Sequence, residues 1–282
     1  MTKARVDYQV APGGVLSGRL RVAGDKSISH RAVMLGSLAE GVTSITGLLE
    51  GEDVLCTLAA FRAMGVAAEG PTQGRLTIHG VGLHGLHAPR AVLDMGNSGT
   101  AMRLMAGILA GQAFDSELTG DDSLRKRPMQ RVADPLGQMG AHIETALGGR
   151  PPLRIKGGQT LRGIDYKMPV ASAQVKSSLL LAGLYAQGET IVTEPAPTRD
   201  HTERMLRGFG YDVEVNGARA RLRGGGRLTA CAIDVPADIS SATFFLVGAA
   251  INPGSELVLE HVGINPTPIG VINILKLMGA DL

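Results

Sequence analysis

At 282 residues, 44% of them hydrophobic, the chain is globular rather than disordered and long enough for a sizeable core and about two domains. A net charge of +2 is too small by itself to imply a nucleic-acid partner, and only 3% aromatic residues argue against base stacking. Cys56 and Cys231 lie far apart, without the spacing of a disulfide framework or a zinc site.

Met1–Val10 holds no apolar stretch of the secretory kind, and Met1–Arg21 reads as a strand-forming leader. From about Val22 one pattern recurs about every 70 residues: a Ser-bearing turn, a small-residue helix, a strand, a second helix, then a closing hairpin. The turns are Gly24-Asp25-Lys26-Ser27, Gly96-Asn97-Ser98-Gly99, Ala171-Ser172-Ala173-Gln174 and Asp238-Ile239-Ser240-Ser241. The second helices close at Met64-Gly65, Met139-Gly140, Phe209-Gly210 and Met278-Gly279. Each copy is therefore a β-α-β-α-β-β unit. In copy one, 28–39 reads as the first helix, 43–48 as the strand, 54–64 as the second helix, and 66–69 with 75–79 as the hairpin.

The first helices at 100–110, 175–186 and 242–250 are apolar or small on nearly every face, which predicts burial. Three such helices side by side with sheets outside account for the abundant Gly, Ala and Ser. The expected organisation is a three-unit domain over 22–232, with 1–21 and 233–282 forming part of a second. The fourth copy stops at Leu282 without its hairpin, so the chain reads as cut short. Its longest apolar stretches, near 179–186 and 244–251, fall well short of the ~20 residues of a membrane span; a cytoplasmic protein is expected.

The polar residues gather at the starts of these helices. Lys26, Ser27 and Arg31 follow Gly24 where backbone N–H groups and the helix dipole favour an anion, although Asp25 or Ser27 could equally be an ordinary cap. Asn97 and Gly99 occupy the same place in copy two; glycine lets a backbone approach a ligand, and Asn can orient one. Arg125-Lys126-Arg127-Pro128 reads as the opening of copy two's second helix, against the macrodipole, a conflict that an anionic ligand would relieve. Ser172, Ala173 and Gln174, then Arg199-Asp200-His201, open the two helices of copy three, with Asp200 expected as a cap. His79, His84 and His87 lie in a Gly-rich stretch without the context of a metal site.

Together, Gly24–Arg31, Gly96–Arg103, Lys126-Arg127-Pro128-Met129, Ser172–Ser177 and Arg199–Glu203 resemble the 5-enolpyruvylshikimate-3-phosphate synthase family, from about Val6 to the last residue. Ser172–Ser177 and Arg199–Glu203 are similar to the branch that includes glyphosate-tolerant enzymes. The resemblance implies two lobes of three β-α-β-α-β-β units with the site between them. It implies a monomer that transfers the enolpyruvyl group of phosphoenolpyruvate to the 5-hydroxyl of shikimate 3-phosphate, without metal or organic cofactor. Lys26, Ser27, Arg31, Ser172, Ala173, Gln174 and Arg199 would hold shikimate 3-phosphate. Lys26, Asn97, Gly99, Arg127 and Gln174 would line the phosphoenolpyruvate site, with Lys26 as proton donor. Gly99 stands where the best-known tolerant members carry Ala, so a glyphosate target is implied.

The family's carboxylate base has no match in this sequence; Asp238 corresponds to a different carboxylate. A shikimate-3-phosphate-binding fragment that does not turn over is therefore the alternative. The sister family acting on UDP-N-acetylglucosamine usually carries a Cys before its Arg-Pro, and 121–126 has none. RNA 3′-phosphate cyclase shares a related repeat, but its catalytic His motif is missing here.

Overall fold

Copy one of the repeat follows a short strand β1 (Ser17–Leu20) and runs α1 (Lys26–Leu38), β2 (Glu40–Thr46), α2 (Glu52–Ala63), β3 (Ala67–Thr72) and β4 (Arg75–Val81) in a computed structural model that describes residues 7–9, 13–265 and 270–282. Copy two contributes β5 (Leu93–Asp94), α3 (Gly99–Ala110), β6 (Ser116–Thr119), α4 (Gln130–Gln138), β7 (His142–Ala146) and β8 (Arg150–Lys156). Copy three contributes β9 (Asp165–Lys167), α5 (Ala173–Gly183), β10 (Glu189–Thr193), α6 (His201–Gly208), β11 (Val213–Asn216) and β12 (Arg219–Arg223). Then come β13 (Ala232–Asp234), α7 (Ile239–Ile251), β14 (Glu256–Leu259) and α8 (Gly270–Leu277). Of the leader, residues 1–6 and 10–12 lie outside the described residues.

The three copies build three four-stranded sheets of one design. Their orders are β13-β2-β4-β3, β5-β6-β8-β7 and β9-β10-β12-β11, the first pair parallel and the others antiparallel. The edge strand of copy one's sheet comes from beyond copy three. Ala232, Ile233 and Asp234 pair with Ser44, Ile45 and Thr46. The strand expected to begin copy four thus completes copy one, and β1 instead pairs in parallel with β14. The chain divides accordingly into one compact unit of residues 23–236 and another of 1–22 with 237–282. The sequence expectation of 22–232 stops short of Pro236 because register, rather than composition, assigns β13.

In the larger unit, α1, α3 and α5 are the buried helices. Eleven of the twelve residues of α3 are buried, as are all residues of α1 from Ser29 to Leu38 and all of α5 from Val175 to Gly183. Close approach of α3 and α5 depends on Gly107, where an added Cβ would stand 2.2 Å from the Ser178 carbonyl oxygen. Helix α7 departs from the sequence reading. It is apolar all round, yet only Ile239 and Ala242 are buried among its described residues, and Phe244 and Ile251 are exposed. The place expected for it among three central helices belongs to α1, whose interior is partly polar.

Candidate active site

The three buried helices begin alike. Asp25 caps α1 by accepting from the Ile28 amide at 2.8 Å, Ser98 caps α3 through the Ala101 amide at 3.1 Å, and Ser172 caps α5 through the Val175 amide at 3.4 Å. The first two starts are joined by His30. Because the Thr57 hydroxyl donates to the Asp53 carbonyl at 3.3 Å, the ring donates from Nδ1 to Thr57 Oγ1 at 2.8 Å. A neutral ring then accepts at Nε2 from the Ser98 hydroxyl, 3.1 Å away, whose Oγ also accepts from Ala101. Burial pushes the His30 pKa down to about 4, which keeps the ring neutral, as this directional chain requires. Asp53 also receives the Lys26 ammonium, 3.1 Å from its Oδ2.

At the α3 start, four of the sequence-predicted residues gather. Arg127 Nη2 donates to Asn97 Oδ1, and Asn97 Nδ2 donates to Asp121 Oδ2 at 2.7 Å. An added Cβ on Gly99 would lie 3.1 Å from Arg103 Nη1 and 3.2 Å from Arg127 Nη1, so two guanidinium groups converge where glycine presents no side chain. Arg103 donates from Nη1 to Gln174 Oε1 and from Nη2 to the Pro128 carbonyl at 3.1 Å; Gln174 Nε2 in turn reaches Thr100 Oγ1 at 2.8 Å. Burial, then Arg131 and Arg127, lower the Arg103 pKa. Two like charges held this close are costly unless an anion neutralises them.

The EPSP synthase (3-phosphoshikimate 1-carboxyvinyltransferase) family model matches residues 10–282. The chain belongs to the EPSP synthase family. It is 68% identical over 277 residues to the 3-phosphoshikimate 1-carboxyvinyltransferase of Methylococcus capsulatus, covering 98% of this chain and 63% of that one. Against the enzyme of the same name from Alkalilimnicola ehrlichii the identity is also 68%, with 98% of this chain and 62% of the relative covered. The solved EPSP synthase of Acinetobacter baumannii superposes with a TM-score of 0.91 at 63% identity, over 96% of this chain and 61% of that chain. The chain thus spans about 63% of the length of the curated relative from Methylococcus.

Within this EPSP synthase framework several residues stand differently from the sequence reading. Arg31 is interior, 3% exposed: Nε donates to Thr202 Oγ1 at 2.7 Å, Nη2 to Ser177 Oγ at 2.8 Å, and Nη1 to the Ser27 carbonyl at 2.9 Å. Burial lowers its pKa to about 10, against which Glu203 acts most strongly. Arg31 therefore braces Ser27 from behind. Arg125-Lys126-Arg127 does not open α4. Leu124–Lys126 is a 3-10 turn whose Leu124 amide donates to Asp121 Oδ1, and α4 starts at Gln130, because Pro128 lacks an N–H and pushes Arg127 into extended backbone. The dipole conflict inferred from sequence is absent.

Asp200 holds the cap position of α6, but its carboxylate binds Arg204 at 2.7 Å instead of capping. Arg199 is exposed and makes no ion pair among the described residues, while Ser172 and Ala173 sit half-buried at the α5 start. Arg103 and Lys176 lie within the motifs read from sequence but were given no role there. The signal was present: each buried helix carries one buried cation within its first two turns, namely Arg31, Arg103 and Lys176.

Proposed function

We propose that residues 23–236 form a substrate-binding lobe for shikimate 3-phosphate and phosphoenolpyruvate, and that the chain serves enolpyruvyl transfer between them. The convergence of Arg103 and Arg127 on the bare face of Gly99, with Asn97 and Gln174 held around it, carries this reading. Phosphoenolpyruvate brings a phosphate and a carboxylate, and fixed guanidinium groups suit both. Lys26, Ser27, Ser172, Ala173 and Arg199 present cations and polar groups from copies one and three for the phosphorylated acceptor, with Arg31 supporting Ser27. In the reaction the 5-hydroxyl gives up its proton as its oxygen bonds to C2 of phosphoenolpyruvate, and the methylene carbon takes a proton to become a methyl group. Loss of a proton from that methyl and cleavage of the bond between C2 and the phosphate oxygen then restore the double bond and release phosphate. Lys26, half exposed and ion-paired with Asp53, is the proton donor in this reading. The same reading makes the protein cytoplasmic and monomeric; among the described residues no helix is long and apolar enough to cross a membrane.

A second reading, binding without turnover, is favoured by how the carboxylates near the helix starts are used. Asp25 caps α1, Asp53 binds Lys26, and Asp121 holds Asn97 and the Leu124 amide. Each of these three is engaged within the fold, and this reading assigns none of them as the base. Calorimetric titration of shikimate 3-phosphate into the chain, beside Lys26→Ala and Arg199→Ala, tests the site. Binding that each substitution weakens about tenfold, the scale of one charge-assisted contact, is expected. A folded chain with no affinity would overturn the assignment, and a phosphate-release assay on a binding chain separates the two readings.

A further inference from the structure

Of the three cations buried in the central helices, Arg31 and Arg103 meet neutral oxygens in their hydrogen bonds, whereas Lys176 meets two carboxylates. Its Nζ lies 2.6 Å from Glu194 Oε1 and 2.7 Å from Glu203 Oε1, and the three side chains are 2%, 8% and 2% exposed. Burying three charges costs heavily in desolvation, so such a cluster is poor evidence of a gain in stability and calls for another use.

The geometry around Glu194 supplies one. This residue directly follows β10, and its amide donates to the Ala218 carbonyl at 2.9 Å. Its second carboxylate oxygen accepts from the Thr198 hydroxyl. The intervening Pro195-Ala196-Pro197 is exposed, and its two prolines have no N–H to tie them down. Arg199 directly follows Thr198, and its charge acts on both Arg31 and His201. Glu194 therefore clasps both ends of a segment that otherwise has little to hold it. Lys176 anchors the clasp, and Glu203 from α6 anchors Lys176 from the other side.

We propose that Glu194 is a positioning residue of the anion site: fixed by the buried Lys176, it holds Thr198 and so sets the place of the Arg199 guanidinium. The role rests on the assignment of Arg199 to shikimate 3-phosphate. Glu194→Gln is the informative variant, since it keeps the shape and leaves Lys176 its bond to Glu203, so the fold persists.

Two measurements on the full chain test the idea. Without ligand, amide hydrogen exchange across 196–201 should quicken in Glu194→Gln while that of α3 and α5 stays unchanged. In calorimetric titration the variant should bind shikimate 3-phosphate about tenfold more weakly, as expected when a charged contact is misplaced. In an Arg199→Ala background the same substitution should change affinity by less than about twofold, because it acts only through that arginine. A merely structural role would instead give losses that add. Full affinity in Glu194→Gln, additive losses, or unchanged exchange in the segment would each overturn the positioning role. Failure of the unsubstituted chain to bind would overturn the assignment of Arg199, and with it the ligand that the clasp serves.

Discussion

His30 shows how one side chain can set the geometry of two turns. It is fully buried, and its ring takes a hydrogen from Ser98 and gives one to Thr57, so a second ring proton would face a donor. Burial lowers its pKa from 6.5 to about 4. For a base depressed in the fold, stability is complete above the unfolded pKa and is lost as pH falls towards the folded one, because the unfolded chain takes up the proton first. Between pH 7 and pH 5 His30 should therefore cost about 2 kcal/mol of stability. His201, lowered in the same sense by burial and then by Arg31, adds to the slope. Urea unfolding across this range should show the loss, and His30→Gln should remove its share and leave that of His201; a slope undiminished by the substitution would place the titration elsewhere. At this scale the sequence showed which residue types gather at helix starts. It did not show that Arg31 turns inward, since that depends on Ser177 and Thr202, far along the chain.

Helices α3 and α5 are held at their spacing by a single glycine, and not all glycines are equal. Gly107 in α3 faces the Ser178 carbonyl, and a Cβ there would meet backbone at 2.2 Å, which no rotamer can relieve. Gly107→Ala should destabilise by about 3 kcal/mol, at the upper end of overpacking effects. Gly137 in α4 has nothing within 4 Å of its would-be Cβ, so Gly137→Ala should stabilise by about 0.5–1 kcal/mol through helix propensity alone. Thermal melts of the two variants check the contrast; equal shifts would mean that α3 and α5 separate without cost. Element type was largely readable, because period 3.6 and period 2 patterns are local. The α4 start was missed by the reading that placed three cations on it, where Pro128 overrode the register of the repeat.

Across the whole molecule the two compact units differ in what they bury. The continuous apolar core lies within residues 23–236, whereas the other unit leaves Phe244, Ile251, Leu277 and Met278 between 70% and 88% exposed. Local opening follows burial, so amides of 239–251 and 270–277 should exchange orders of magnitude faster than those of 99–110 and 173–183. Matching protection in both units would show that the exposed faces are covered in solution. The repeat, its four turns, the polar residues at the helix starts and the family they resemble were all determined by sequence alone, because turn chemistry, periodicity and motif are written in neighbouring residues. Tertiary structure decided that β13 completes the sheet of copy one, that the apolar α7 stays mostly uncovered, and that Lys176 pairs with Glu194 and Glu203. Strand pairing and ion pairing join residues up to 241 positions apart among the described residues, as Arg19 joins Glu260, and no local pattern encodes which distant partner wins.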